Sequence, residues 1–368
     1  MSKHGKVLVA MSGGIDSTVA AILLHEQGYE VIGITMKTWD YANSGGSKKE
    51  TGCCSLDSIN DARAVAVKMG FHHFIIDIRE EFGDYVIDNF VEEYLAGRTP
   101  NPCVLCNTHI KWESLLKRAD ALDCQWIATG HYARIKQLDG RKYISRAEDT
   151  SKDQSYVLWG LSQSCMDRTM FPLAEFVKPE VRAMADERGY AELAKKAESY
   201  EICFVPDNDY RGFLKRKKPE LQTSLQGGVY LDTEGNKLGV HEGYPFYTIG
   251  QRKGLGKAFG EPMFVTEIIP ERNEVILGKE KDLQRNDMNV YKTNWQKYDR
   301  PSMECIIKIR YRDTGTWGAL DVTGPTTAHV RFHVAAKSIA PGQSAVFYED
   351  DDVIGGGIIQ SGQMIHPN

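Results

Sequence analysis

Three scarcities in this chain of 368 residues each remove a class of protein. No stretch approaches the roughly 20 consecutive apolar residues that a bilayer-spanning helix requires, so no membrane is expected among its partners. The charged start, Met1 to Lys6, leads into an apolar run too short for a secretory signal and running directly into a glycine loop. Cysteine is sparse, with eight in the whole length. Without an export signal, that usage argues for reduced thiols in the cytoplasm, not a disulfide framework, and for catalysis wherever a pair does oxidise. Nor does one sign of charge dominate, because 45 Lys and Arg meet 50 Asp and Glu for a net charge of −5. A polyanion would therefore be met by local patches, not by a global field. Arg211 with Lys215, Arg216, Lys217 and Lys218 forms one such patch, and Lys308, Arg310 and Arg312 another, while 349–352 is acidic. Runs of this kind are as often a solvated face as a binding face.

Two nucleotide motifs are missing as well. No glycine-rich run is followed by Lys-Ser or Lys-Thr at Walker spacing, and Gly254 to Gly260 is one residue too long for a dinucleotide fingerprint and has β-like neighbours, which makes it a loop. What is present is Met11-Ser12-Gly13-Gly14-Ile15-Asp16-Ser17, set between apolar Val7 to Ala10 and the helix-like Thr18 to Leu24. Glycines allow close backbone approach, the serines add hydroxyls, and a helix start offers free N–H groups to an anion. A phosphate is the expected occupant, the bland alternative being a Gly-Ser turn with Asp16 as a helix-start carboxylate.

From residue 6 to about 200 strands and helices alternate. Val7 to Ala10, Val31 to Met36, Phe74 to Ile78 and Trp126 to Thr129 read as strands, and Asp57 to Met69 and Glu81 to Ala96 as helices. The expected fold class is α/β, a doubly wound, mainly parallel sheet whose ligands lie beyond the carboxyl ends of its strands. Gly130-His131-Tyr132 would then share the crevice with the glycine loop, unless His131 is only a hydrogen-bonded structural histidine. Beyond residue 206, short alternating runs and turns, Ile306 to Tyr311 among them, suggest a small β-rich module and then a β-barrel.

The segment Gly97 to Asn107 reads as a proline-stiffened loop bearing Cys103 and Cys106, with Cys106 close to a helix start that would lower its pKa. Cys203 stands far away, in Glu201-Ile202-Cys203-Phe204. Half a zinc site (with Cys53, Cys54, His72 and His73 as further donors), a redox couple, and Cys203 as a small buried hydrophobe all remain open from spacing alone.

These motifs, with 128–132, 152–156 and 247–255, occur in one order, and through them nearly the whole chain resembles the tRNA-specific 2-thiouridylases, a pyrophosphate-loop family. The resemblance implies a pyrophosphate-loop domain at 1–205, a small central domain at 206–283 and a C-terminal β-barrel at 284–368. It implies ATP-dependent replacement of the wobble uridine's C2 oxygen by sulfur, through adenylation of that oxygen and attack by a persulfide. Cys203 would carry the persulfide and Cys106 would be its partner thiol. Ala10, Met11, Ser12, Gly13, Gly14, Ile15, Asp16 and Ser17, with Met36 and Gly130, would bind ATP, and Asp16 is the candidate ligand for an accompanying Mg²⁺. Asn101, Pro102, Cys103, His131, Lys152, Asp153, Gln154, Arg310, Tyr311, Arg312 and Gln343 would contact tRNA, with the Lys215 cluster adding phosphate contacts. A sulfur-donor protein, either a cysteine desulfurase or a relay, is the further partner, and with no dimer stripe in the sequence a monomer is expected. One departure stands out: some family members carry Asp where this chain has Cys103, which leaves the role of that position open. Two other functions fit the residues less closely. One is a different adenylating pyrophosphate-loop enzyme, and the other a zinc- or redox-responsive RNA-binding protein.

Overall fold

A computed structural model describes residues 2–39, 55–196, 202–205 and 207–361. The chain divides into two compact units, Met1–Val86 with Cys103–Asp209 and Asp351–Val353, and Ile87–Pro102 with Tyr210–Asp350 and Ile354–Asn368. In the first unit, β1 (Lys6–Ala10), β2 (Glu30–Lys37), β3 (His72–Asp77), β4 (Trp126–Ala128) and β7 (Thr169–Met170) build one sheet in the order β3-β2-β1-β4-β7. Every pairing in it is parallel. That explains why β1 is an unbroken apolar run: a parallel strand between helical layers is buried on both faces. Helix α1 (Ile15–Glu26) follows β1, and its Val19, Ala20, Ala21, Ile22 and Leu24 are all buried against the sheet and the helix Lys178–Glu187. Each such valine or leucine contributes on the order of 1.5–3 kcal/mol by leaving water. Helix α2 (Leu56–Met69) starts on the Ser55 side chain, which accepts from Ser58 N, and stops at Gly70 in the left-handed region. A hairpin of β5 (Arg134–Leu138) and β6 (Arg141–Ser145) follows β4.

Strand order runs outward in both directions from β1, with β2 and β3 on one side and β4 and β7 on the other. This topological switch puts the ligand crevice beyond the carboxyl ends of β1 and β4. The chain continues there as 11–17 and 129–132, the two segments the sequence nominated for one site.

In the second unit, β8 (Gly228–Leu231), β9 (Lys237–His241), β10 (Phe264–Ile269) and β11 (Glu274–Gly278) form a sheet in the order β10-β11-β8-β9. Six further strands follow it in the chain, β12 (Gln284–Trp295), β13 (Met303–Lys308), β14 (Thr316–Gly324), β15 (Thr327–Lys337), β16 (Ser344–Glu349) and β17 (Asp352–Ser361). They run in the order β12-β15-β14-β13-β16-β17 and close through β12 and β17. Cys305, Ile307, Leu320, Val330 and Phe347 fill the barrel interior, as period-2 alternation requires.

Three local expectations shift. The third strand runs His72–Asp77, two residues early at its start. The strand read from Ile306 to Tyr311 ends at Lys308, so Arg310 and Tyr311 stand in the turn after it, where Asp313 accepts from Ile309 N and Gly315 N at 3.0 Å each. The third shift concerns Cys106. Helix begins at Pro102, with Pro102–Leu105 running into a π-helical stretch Cys106–Trp112 and then Glu113–Ala121. Proline suits a first helical position because its missing N–H is not needed there, so here it opens the helix instead of stiffening a loop. Cys103, not Cys106, occupies the first turn, where the helix field is strongest.

Candidate active site

The loop after β1 is built to leave donors open. Gly14 caps α1 without any side chain satisfying the first-turn N–H groups, which stay available to an anion. Ser17 Oγ accepts from Ser12 N at 3.0 Å and donates to Gly14 O at 3.1 Å, fixing the turn, while Ser12 remains exposed. Gly13 has φ +69° and lies against the backbone of Ser58 at the start of α2, so both conformation and space demand glycine. Met11 O accepts from Thr35 Oγ1 at 2.8 Å, which ties the loop to β2 beside Met36.

Two lysines that the sequence did not nominate serve this loop. Lys178 Nζ, 8% exposed, meets both carboxylate oxygens of Asp16 at 2.7 Å, and the Tyr132 hydroxyl donates to Asp16 Oδ1 at 2.7 Å. Lys196 Nζ pairs with Asp61 at 2.8 Å and reaches Gly13 O at 3.4 Å. Partners 162 and 183 residues apart leave no local pattern to read. Lys178 thus meets the Asp16 charge from within the same unit. No group of three His, Cys, Asp or Glu side chains among the described residues could hold a metal. Cys53 and Cys54 lie outside the described residues.

Gly130 abuts the loop directly: a Cβ there would stand 2.7 Å from Ser17 N and from the Asp16 carbonyl carbon. Next to it, His131 takes part in a 2.8 Å hydrogen bond with Thr129 Oγ1, and its ring lies 5.4 Å from that of Trp112. Burial, aided by the Lys111 ammonium, pushes the His131 pKa well below the usual imidazole range, so it is neutral at physiological pH. Trp112 Nε1 in turn donates to Thr169 Oγ1 at 2.8 Å. Trp112 closes the π-helical stretch that Cys106 opens, which links the thiol's helix to the glycine loop through one aromatic contact, with His131, and one glycine, Gly130. Asn107 Nδ2 donates to Val157 O at 3.1 Å, holding this helix against the segment that contains Lys152, Asp153 and Gln154.

The Cys203 segment packs on another part of this unit. Phe204, next to Cys203, is fully buried against Phe82 (ring centroids 5.8 Å) and Trp39 (6.3 Å). Phe82 ends α3 (Arg79–Phe82), and α3 packs on the Cys106–Trp112 stretch. Both thiol segments therefore pack on α3, within the unit that holds the glycine loop. Cys106 is buried, Cys203 half-buried and Cys103 exposed.

The other nominated residues divide between the units. In the first, Gln154 Oε1 accepts from Tyr132 N at 2.9 Å, Asp153 accepts from Ser155 N and Oγ, and Lys152 is half-buried. In the second, Gln343 Nε2 donates to Thr99 O and Pro100 O at 3.2 and 2.8 Å, shaping the segment that carries Asn101 and Pro102. Arg310, Tyr311 and Arg312 are exposed on the turn after β13, with Arg310 Nη2 on Ser338 O at 2.5 Å. Lys215 is engaged by Glu242 at 2.7 Å.

Three family profiles match the chain in succession. They are the tRNA methyl transferase HUP domain at 5–207, its PRC-barrel domain at 212–279 and the aminomethyltransferase β-barrel domain at 285–359. The tRNA-specific 2-thiouridylase MnmA of Cytophaga hutchinsonii is 63% identical over 98% of this chain and 99% of its own. The chain belongs to the tRNA-specific 2-thiouridylase family. Its relative from Amoebophilus asiaticus, also a tRNA-specific 2-thiouridylase MnmA, is 60% identical over 98% of this chain and 96% of that one. Among solved structures, a 4-thiouridine synthetase in complex with RNA and ATP is similar over 59% of this chain and 51% of that one, at 20% identity and a TM-score of 0.36. For a member of the 2-thiouridylase family, the glycine loop and both thiol segments thus lie in the part matched by the HUP profile.

Proposed function

We propose that this protein replaces the C2 oxygen of the wobble uridine of tRNA with sulfur at the expense of ATP. What carries the reading is the packing chain from the phosphate loop through Gly130, His131 and Trp112 to the Cys106 helix, and through α3 to Cys203. The uncapped start of α1 and Ser12 fit the phosphates of ATP, with Met36 and Gly130 bounding the nucleotide; magnesium would arrive on those phosphates.

The uridine C2 oxygen is a poor leaving group. Its attack on the α-phosphate releases pyrophosphate and leaves an adenylated base, from which AMP departs when sulfur adds to C2. Cys203, bearing a persulfide received from a donor protein, supplies that sulfur. Either its terminal sulfur attacks C2 and Cys106 thiolate then attacks the Cys203 Sγ, or Cys106 attacks first and releases hydrosulfide. Both routes end in a Cys106–Cys203 disulfide, so each turnover oxidises two thiols and requires a two-electron reductant. His131, neutral and hydrogen-bonded to Thr129, and Cys103, exposed where some relatives carry Asp, would contact the base. Asn101 and Pro102 would line its receiving segment, and Lys152, Asp153, Gln154, Arg310, Tyr311, Arg312 and Gln343 would hold the RNA around it. An anticodon loop is single-stranded, which keeps the cost of splaying its base to a few kcal/mol.

The test is mass spectrometry of tRNA nucleosides after incubation with ATP and a persulfide source. Cys106→Ala and Cys203→Ala are each expected to lower 2-thiouridine about a hundredfold or more, while pyrophosphate release with tRNA continues. Full thiolation by Cys203→Ala would favour a different nucleophile, and absence of pyrophosphate from the intact protein would remove the adenylation step.

A further inference from the structure

No step above uses the stretch 247–255, although part of the family resemblance rests on it. The second unit holds its backbone at almost every residue. Gly250 N donates to Val265 O at 2.8 Å, and Val265 N to Gln251 O at 2.9 Å. Gln251 Nε2 donates to Lys253 O at 2.9 Å, Arg211 Nη1 to Gly254 O at 3.0 Å, and the buried Tyr230 hydroxyl to Leu255 O at 2.9 Å. Arg252 and Lys253 are nevertheless exposed, and neither forms an ion pair among the described residues. Two adjacent cations offered to solvent from a held backbone favour a polyanion bound across both.

The neighbouring cation says which polyanion. A Cβ at Gly250, φ +86°, would lie 2.7 Å from Ser338 Oγ and 3.4 Å from Arg310 Nη2, so the loop packs directly against the turn that bears Arg310. Arg252 and Lys253 stand two and three residues along the chain from the point where the loop meets Arg310. The loop offers no exposed aromatic or large aliphatic anchor of the sort that concentrates protein–protein binding energy, since Leu255 is buried and its neighbours are Gly254, Gly256, Lys257 and Ala258. Charge alone suffices for phosphates.

We propose that Arg252 and Lys253 form a phosphate-backbone site for tRNA, adjoining Arg310, a role that rests on the tRNA reading above. The experiment measures tRNA affinity against salt concentration for the intact protein and for Arg252→Gln/Lys253→Gln, with melting temperature and ATP affinity as checks on folding. The expected result is roughly tenfold weaker binding at low salt, a slope of log K against log salt reduced by about 1.8, and unchanged ATP affinity. Equal affinity and equal slope in both proteins would overturn the site. So would unchanged tRNA affinity with slower sulfur loading from a donor protein, which would assign the loop to that partner. If the intact protein shows no salt-dependent tRNA binding at all, the tRNA reading and this site fail together.

Discussion

At Gly130 the space for a side chain is already filled. Its missing Cβ would lie 2.7 Å from two backbone atoms of the phosphate loop, and since neither is the end of a flexible side chain, the loop itself would have to move. Gly130→Ala is expected to lower the rate of tRNA-dependent pyrophosphate release about a hundredfold, the scale of a misplacement near 1 Å. Thermal stability should change far less. Steady-state pyrophosphate release alongside a melting curve checks this, and a variant with ordinary turnover would mean the loop and the 129–132 turn act separately. The sequence made both segments visible, since glycine, serine and a following helix are local signals. The charges around them were not visible: Lys178 and Lys196 reach Asp16 and Gly13 from 162 and 183 residues away, and no spacing rule connects positions so distant.

Single elements were read best where the apolar pattern was clear, as in β1 and α2, and worst where proline had two meanings. Pro102 could stiffen a loop or open a helix, and the helix it opens carries Cys106 into a second turn. Strand β9 holds a residue for which sequence offered no reading. His241, 7% exposed, accepts from Gly243 N through Nδ1 at 3.0 Å, beside the rings of Tyr230 and Tyr247 at 4.9 and 5.2 Å. Burial lowers its pKa to about 4, from 6.5 in the unfolded chain. Because the unfolded state binds the proton more readily, the neutral ring's contribution is complete above pH 6.5 and is lost as pH falls toward 4, about 3 kcal/mol in all. His241→Asn, whose side-chain oxygen can still accept from Gly243 N, should flatten that part of the stability curve. Urea midpoints between pH 4 and 7.5 provide the measurement, and parallel curves for the two proteins would show that another group governs the acid limb.

For the molecule as a whole, the division of labour follows from what each fold can offer. A parallel sheet with a switch point supplies an anion cradle at one end, and closed or covered β-sheets supply rigid turns on which exposed cations such as Arg252 and Arg310 stand. Alternating strand and helix patterns, giving way near residue 206 to short β runs, announced both architectures in the sequence. The packing of both the Cys106 and the Cys203 segments on α3 was beyond local pattern, because it depends on Phe204 packing against Phe82. From the proposed disulfide a stoichiometry follows. If the two thiols become one disulfide per sulfur delivered, protein given ATP, tRNA and several equivalents of persulfide donor, without a dithiol reductant, should produce at most one 2-thiouridine per chain. Two thiols should then resist alkylation, at 106 and 203, and a dithiol reductant should restore both alkylation and turnover. Peptide mass mapping after the single turnover reads the linkage directly. A second equivalent of 2-thiouridine formed without reductant would mean that the donor's sulfur reaches the base by a route that leaves these cysteines unoxidised.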